Sequence, residues 1–219
     1  ALTSLQYVVN TKHNETFYDL PVHCYHGQPY ITETLCGLQF RVGPKSFFQT
    51  NTAQAQVLYQ QIRDLAALQG HERLYDLYTG VGSIALFLAQ YVQHVVGIDT
   101  VESAIADARG NAELNGVTNA TFVAGEVEHL LNDDFVATHG QPHVVVVDPP
   151  RAGLHPRVVS QLLHIAPARI VYVSCNPATQ ARDIALLRPQ YTLSIAQPVD
   201  LFPHTSHVEN IAVLERTPQ

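Results

Sequence analysis

From residue 73 onward, the chain alternates short apolar runs with longer segments of helical spacing, and this alternation restricts the fold most. The apolar runs are rich in Val, Ile and Leu, and most end in a polar, proline or glycine turn. Such runs are typical of buried strands in a parallel sheet whose helices are crossover connections. We therefore predict strands at 74–77, 94–98, 120–124, 143–147 and 169–174.

The segments around these strands supply the remaining elements. Two final strands, at about 191–197 and 208–214, leave little room for a helix, so we predict an antiparallel pair at the sheet edge. A helix over 52–68 begins after the N-cap Asn51 and ends at Gly70. The other predicted helices lie at 83–91, 101–115, 156–165 and 178–187, with a short one beginning at Glu126. The fold class is therefore α/β, with a Rossmann-like, mostly parallel sheet and an antiparallel terminal strand.

The first 46 residues have a different pattern from the rest. Four short β-like runs, separated by turns rich in Asn, Gly and Pro, lie at 5–9, 22–25, 30–34 and 38–42. We predict two units, a small antiparallel β-rich unit over 1–46 and the α/β domain over 47–219.

A glycine turn follows the first strand of the α/β domain, in the sequence DLYTGVGS over 76–83. With Ala85 it matches G-x-G-x-x-A, so a dinucleotide site must be considered. Asp76 argues against a doubly negative pyrophosphate and favours S-adenosylmethionine, which carries a sulfonium and an ammonium. Asp99 ends the second strand, where it suits ribose hydroxyls, and Glu126 follows the third, where it suits an adenine amine. Both acids could equally be helix-start charges on the surface.

Three further segments carry chemical groups at the predicted strand ends. In DPPRAG, over 148–153, two prolines stiffen the turn and hold Asp148. In IVYVSCNP, over 170–177, Cys175 follows a buried strand; it is either a nucleophile or a small buried hydrophobe. The segment VDLFPHTSHVE ends at Glu209 and includes Asp200 and two histidines.

Composition excludes several classes of protein. A net charge of −7 argues against a free-standing nucleic-acid binder. Three cysteines without a C-x-x-C motif, and scattered histidines, indicate neither a disulfide framework nor a metal site, which fits a reducing cytoplasm. No apolar run is long enough to span a membrane. The chain begins with Ala1 and lacks methionine, so we expect it to be a piece of a longer polypeptide.

Five motifs together resemble the uracil-C5 RNA methyltransferase family, over about residues 47–214. They are, in order, FQTN at 48–51, DLYTGVG at 76–82, DPPRAG at 148–153, YVSCNP at 172–177 and DLFPHTSHVE at 200–209. The resemblance implies a class I methyltransferase sheet and S-adenosylmethionine as the cofactor. It implies that Cys175 adds to carbon 6 of uracil and that Glu209 removes the carbon-5 proton.

The resemblance also implies a set of binding residues and partners. Arg151 and His207 are expected helpers without assigned roles. The expected substrate is a uridine of structured RNA, ribosomal rather than transfer RNA, flipped out of its stack. The cofactor site would be formed by Gln49, Tyr78, Gly80, Ser83, Asp99, Glu126 and Asp148, without a metal.

Family members usually carry an RNA-binding barrel ahead of this region, and some hold a 4Fe–4S cluster there. Cys24 and Cys36 lack cluster spacing, so any cluster is expected in a missing N-terminal region. We expect a cytoplasmic monomer. Two alternatives are an NAD(P)-dependent oxidoreductase, from the glycine motif, and a catalytically degenerate RNA-binding module. The presence of Gln49, Asp148, Cys175 and Glu209 argues against the second.

Overall fold

The protein is described by a computed structural model that covers residues 2–17 and 19–218. Residues 1, 18 and 219, which fall within the predicted units, lie outside the described residues. The strands are β1 (Ser4–Tyr7), β2 (His23–Gly27), β3 (Ile31–Leu35), β4 (Leu38–Val42), β5 (Arg73–Leu77), β6 (His94–Asp99), β7 (Ala120–Ala124), β8 (Val144–Val147), β9 (Arg169–Ser174), β10 (Tyr191–Val199) and β11 (Glu209–Arg216). The helices are α1 (Thr52–Ala66), α2 (Ser83–Ala89), α3 (Glu102–Leu114), α4 (Val127–Leu130), α5 (Asp133–His139), α6 (Pro156–Ile165) and α7 (Pro177–Leu187).

A seven-stranded sheet forms the centre of the described chain, in the order β10-β11-β9-β8-β5-β6-β7. Strands β5 to β9 pair in parallel, whereas β11 is antiparallel to both of its neighbours. The predicted α/β fold, the five parallel strands and the antiparallel terminal strand are confirmed. No described helix has the length and apolar character needed to cross a bilayer.

The inner strands of the large sheet are mostly apolar because both faces of the sheet are covered there. Val144 and Val146 belong to one core, which includes apolar residues of α1, α2 and α3. Val145 and Val147 belong to a second core, which includes apolar residues of α4 to α7. Alternate residues of one strand therefore pack into different cores.

The final hairpin lies at the sheet edge, as predicted, but its second strand is the inner one. Strand β11 inserts between β9 and β10, and β10 is the edge strand. The difference in burial explains this order, because residues 211–214 of β11 are buried while β10 is exposed between its two ends. An inner strand needs apolar side chains on both faces, and only β11 has them. Glu209 is therefore the first residue of an inner strand.

The segment up to residue 46 is β-rich, as predicted, but its described residues form two separate antiparallel pairs, β1–β2 and β3–β4. The β3–β4 hairpin places Leu35, Phe40 and Val42 in the first core. The β1–β2 pair is mostly exposed. The division of the chain after residue 46 stays a prediction.

Two helix details also differ from the sequence-based prediction. Helix α1 ends at Ala66, and its C-cap Ala67 adopts a left-handed conformation with φ of 51°, so Gly70 lies in the following turn. Helix α5 was not predicted; Asn132 caps it by accepting a hydrogen bond from the Phe135 amide. Both differences concern short segments in which local sequence patterns are weakest.

Asparagine side chains of α3 occupy the free edge of β4. The Asn115 side chain accepts from the Gln39 amide at 2.8 Å and donates to the Gln39 carbonyl at 2.7 Å. Asn111 accepts from the Arg41 amide at 2.8 Å and donates to the Arg41 carbonyl at 3.4 Å. Asn111 also donates to the Val81 carbonyl in the glycine turn, at 3.2 Å. These side chains satisfy an edge that a further strand would otherwise pair with, and Asn111 connects that edge to the glycine turn.

We predict that Asn111→Ala lowers the free energy of unfolding by about 3 kcal/mol, because it leaves the buried Val81 carbonyl and the part-buried Arg41 backbone without these partners. Asn115→Ala is the matched control. It removes similar bonds at a partly exposed position, where water can replace them, and should cost less than about 1 kcal/mol. Urea denaturation of the two variants measures both costs. Equal costs would contradict the assigned role of Asn111.

Candidate active site

A cavity of about 510 Å³ opens at the carboxyl ends of the parallel strands. Ligands of open α/β sheets bind at this edge. The residues that line the cavity are Phe47, Gln49, Thr50, Tyr78, Gly80, Asp99, Asp148, Pro149, Pro150, Arg151, Cys175, Phe202, His207 and Glu209.

Strand direction explains how the chemical groups reach this cavity. Asp99 ends β6, Asp148 follows β8, and Cys175 follows β9. Glu209 begins β11, which is antiparallel to β9, and the register pairs Asn210 with Ser174. Continuing that register by one position sets Glu209 opposite Cys175. The two predicted catalytic residues therefore line one cavity although they are distant in sequence.

The glycine turn forms the floor beside Asp99. Gly80 and Gly82 have φ values of 55° and 79°, and the Gly80 amide donates to Asp99 Oδ2 at 2.9 Å. Tyr78, which also lines the cavity, has an unusual positive φ of 67°. A Cβ on Gly82 would meet Phe122 at 3.0 Å, so this turn requires glycine.

Asp76 lies beneath the turn and is not among the cavity-lining residues. It is 1% exposed, and its Oδ2 accepts a hydrogen bond from the Thr79 hydroxyl at 2.6 Å. Its charge can act on a ligand only across the turn. The acids that face the cavity directly are Asp99, Asp148 and Glu209.

Two predicted cofactor residues lie away from the main cavity. Ser83 lines an adjoining space of about 40 Å³, and its hydroxyl is 2.7 Å from the hydroxyl of buried Tyr59. Glu126 lines neither space; it is exposed, and its carboxylate is 2.5 Å from Nδ1 of His129. The other predicted cofactor and catalytic residues all line the main cavity.

Sequence reasoning missed both phenylalanines of the cavity wall, Phe47 and Phe202. Phe47 is 73% exposed, which is unusual for a large apolar side chain. Asn51 connects the segments that carry them: its amide nitrogen donates to the Leu201 carbonyl at 2.8 Å, while its oxygen caps α1. Phe47 directly precedes the FQTN motif and Phe202 belongs to the DLFP motif, but neither motif indicates a contact between the two segments.

Comparison with known protein families identifies the family of this chain. The family model for tRNA (Uracil-5-)-methyltransferase matches residues 26–217. The chain belongs to this family. The resemblance noted from five motifs is therefore confirmed.

Similar proteins agree with the family. A protein of Porphyromonas gingivalis and one of Bacteroides thetaiotaomicron, both named uncharacterized RNA methyltransferase, are 54% and 52% identical over 217 and 214 residues. Each match covers 98% of this chain but 47% of the relative, so the chain spans about half the length of these relatives.

Solved structures show the same relationship. The Pyrococcus abyssi tRNA (uracil-54, C5)-methyltransferase, in complex with S-adenosyl-L-homocysteine, is 38% identical, with a TM-score of 0.83. That match covers 98% of this chain and 51% of the other. The TYW2 protein of M. jannaschii, at 16% identity and a TM-score of 0.62 over 90% of this chain and 91% of the other, shares the fold.

Acidic residues in and beneath the cavity affect one another's pKa. Burial, with the charges of Glu209 and Asp76 adding to it, raises the pKa of Asp148 to about 8. Burial raises the pKa of Glu209, and the positive charge of Arg151 partly opposes this shift. Burial raises the pKa of Asp76 to about 7. At neutral pH, burial therefore favours the protonated form of Asp148.

Arg151 supplies a positive charge to the cavity wall. Its Nη2 is 3.1 Å from His207 Nδ1. Because guanidinium only donates, His207 accepts at Nδ1 and the ring proton of the neutral imidazole lies on Nε2. The predicted helpers Arg151 and His207 thus form a contacting pair. Among the described residues, no group of three or more His, Cys, Asp or Glu side chains is arranged to hold a metal ion.

The raised pKa of Asp148 predicts a pH dependence of stability. The folded chain binds the proton of the Asp148 carboxyl more tightly than the unfolded chain does, because this aspartate has an ordinary pKa of 3.8 when unfolded. The resulting contribution to stability is fully present below about pH 4 and is lost as pH rises through about 8. At pH 9, Asp148→Asn should therefore be more stable than the parent chain by at least about 1 kcal/mol.

Urea denaturation at pH 5 and pH 9 measures this difference. The advantage of Asp148→Asn should shrink at the lower pH, where the parent aspartate is protonated. Asp134→Asn, at an exposed position of α5, is the control and should show little difference at either pH. A constant advantage of Asp148→Asn across this range would contradict the assignment.

Proposed function

We propose that this chain performs the chemical step of an S-adenosylmethionine-dependent RNA methyltransferase that modifies carbon 5 of uridine. The observation that carries the proposal is the meeting of Cys175 and Glu209 on one cavity wall, with Asp148 on the same cavity. A nucleophile and a separate base beside one ring are what substitution at carbon 5 requires, because this carbon is a poor nucleophile by itself.

The cavity suits a positively charged cofactor. A sulfonium or an ammonium beside Asp99, Asp148 and Glu209 would favour the ionised forms of these acids and be attracted to them, whereas a pyrophosphate would be repelled. Gly80 allows the backbone to approach a ligand closely. We assign the cofactor to Gln49, Tyr78, Gly80, Asp99 and Asp148 around the main cavity, with Ser83 and Glu126 as outer predicted contacts. When bound, S-adenosylmethionine would supply an electrophilic methyl group.

Cys175 begins the chemistry. Its thiolate forms a bond to carbon 6 of the uracil, and the electron pair of the 5,6 double bond moves towards carbon 5 and the carbonyl oxygen of carbon 4. Carbon 5 thereby becomes nucleophilic. The target nucleotide must leave its stack to reach a cavity at the sheet edge, and Phe47 and Phe202 offer apolar surface for a flipped ring.

Glu209 completes the chemistry. Once carbon 5 bears the methyl group, the carboxylate removes the remaining hydrogen as a proton. The electron pair of that C–H bond re-forms the 5,6 double bond, and Cys175 departs as a thiolate. The raised pKa of Glu209 makes its carboxylate a stronger base than an exposed glutamate.

Two other functions remain as alternatives to test. A nicotinamide-dependent oxidoreductase would bind NAD through the glycine turn, but three acids face that ligand. A degenerate RNA-binding module would not need both Cys175 and Glu209. Calorimetry should show binding of S-adenosylhomocysteine and not of NAD; the reverse result would refute the proposal.

Ribosomal RNA stays our proposed substrate. The name of the P. abyssi neighbour makes transfer RNA the alternative. Methylation of purified ribosomal and transfer RNA with a labelled cofactor, followed by nucleoside analysis, distinguishes the two.

We predict that Cys175→Ala abolishes both turnover and a covalent adduct with RNA containing 5-fluorouridine, while S-adenosylhomocysteine affinity stays unchanged. The fluorine cannot leave as a proton does, so the parent protein should stay bonded to this RNA. Mass spectrometry detects the adduct. Cys24→Ala and Cys36→Ala are the controls because both thiols are free and neither lines the cavity; loss of the adduct in either control would identify a different nucleophile.

We predict that Glu209→Gln accumulates a covalent complex in which the uracil already carries the methyl group. A positioned base contributes roughly 10²–10⁴-fold to proton removal, so release should slow by about that factor while attack by Cys175 continues. A denaturing gel separates the complex, and mass spectrometry measures the methyl group.

Asp200→Asn is the companion variant, since Asp200 is a nearby acid that does not line the cavity. It should turn over without accumulating the complex. Normal turnover by Glu209→Gln, or an adduct without the methyl group, would move the role of base to Asp200 or His207.

A further inference from the structure

Asp183 on α7 is a fully buried carboxylate, 0% exposed, that does not line the cavity. Its Oδ2 accepts hydrogen bonds from the Leu154 amide at 2.7 Å and the Tyr172 hydroxyl at 2.8 Å. Its Oδ1 accepts from Arg182 Nε at 2.8 Å. A buried carboxylate destabilises the fold unless its oxygens accept hydrogen bonds. One of the donors here is the backbone amide of Leu154, three residues after Arg151.

Helix α7 and its N-cap also hold the rest of the loop that carries Arg151. Arg182 Nη2 donates to the Ala152 carbonyl at 2.9 Å. The Asn176 side chain and the Thr179 hydroxyl both donate to the Arg151 carbonyl, at 3.1 and 3.2 Å. Backbone groups of Arg151, Ala152 and Leu154 are thus held by α7 and its N-cap.

Gly153 shows how closely this loop approaches Asp183. A Cβ on Gly153 would lie 2.5 Å from Asp183 Oδ2 and 2.7 Å from Arg182 Nη2. Its φ of +80° also disfavours any side chain. The loop can therefore reach Asp183 only because glycine stands here.

We propose that Asp183 is a positioning residue: through Arg182 and the 152–154 backbone, it holds Arg151 against His207 on the wall that carries Glu209. The inference rests on the proposed function for its catalytic consequence, but not for its geometry. Loosening the loop would let the guanidinium leave His207. Misplacement of a catalytic-site group by about 1 Å can cost roughly 10²-fold in rate.

The test compares Asp183→Asn with Gly153→Ala. The first changes the α7 side of the contact between α7 and the 152–154 backbone, and the second changes the loop side. Asparagine can still accept from Leu154 and Tyr172, but its NH₂ group would oppose Arg182. Nitrogen NMR of the His207 ring reports whether Nδ1 accepts a hydrogen bond. Both variants should shift this signal towards that of Arg151→Gln and lower turnover by about 10²-fold, with unchanged affinity for S-adenosylhomocysteine.

Arg182→Gln keeps the experiment decisive if the first two variants unfold. This side chain is half exposed, with 53% of its surface accessible, so its replacement should leave a folded chain in which the His207 signal shifts. Arg188→Gln, at the C-cap of α7, is the charge-matched control and should not shift it.

An unchanged His207 signal in folded Asp183→Asn or Arg182→Gln would overturn the proposal. A shifted signal in a protein whose parent form does not methylate uridine would support the positioning role and refute only the proposed function.

Discussion

The direction of strand β11 is the constraint on which the cavity depends. Parallel strands bring their carboxyl ends to one edge of a sheet, so Asp99, Asp148 and Cys175 reach that edge by following β6, β8 and β9. Because β11 runs the other way, it brings its first residue, Glu209, to the same edge. A parallel strand of this length would place Glu209 roughly 23 Å away, at about 3.3 Å per residue. The antiparallel insertion is what unites nucleophile and base.

This convergence has an electrostatic cost. The cavity gathers Asp99, Asp148 and Glu209 where water is scarce, so burial raises the pKa of Asp148 and of Glu209. A cationic ligand would relieve the repulsion between these acids, whereas an anionic ligand would increase it. The positive charge of Arg151 partly opposes the rise in the pKa of Glu209. The Arg151 carbonyl accepts hydrogen bonds from α7 and its N-cap. Unfavourable burial of acidic groups, within a fold that is otherwise consistent with its sequence, is typical of a functional site.

Much of the fold could be predicted because it follows local patterns. The run of four valines over 144–147 is typical of a strand buried on both faces, and Gly80 and Gly82 supply the positive φ that the turn adopts. Placement of β11 inside the sheet could have been inferred from its apolar run against the mixed residues of β10. The separation of β1–β2 from β3–β4 could not, because the free edge of β4 is satisfied by Asn111 and Asn115, which are distant in sequence.

By itself, the sequence determined the strand–helix alternation and the chemical groups at strand ends, including Cys175 and Asp148, because both depend on neighbouring residues. Tertiary structure alone decided which groups share a cavity. It placed Phe47 and Phe202 on the wall, and it paired Glu126 with His129 away from the cavity. It also joined Asp183 to the loop behind Arg151. These contacts link residues far apart in the chain, and their energies depend on distance and burial, which no local pattern contains.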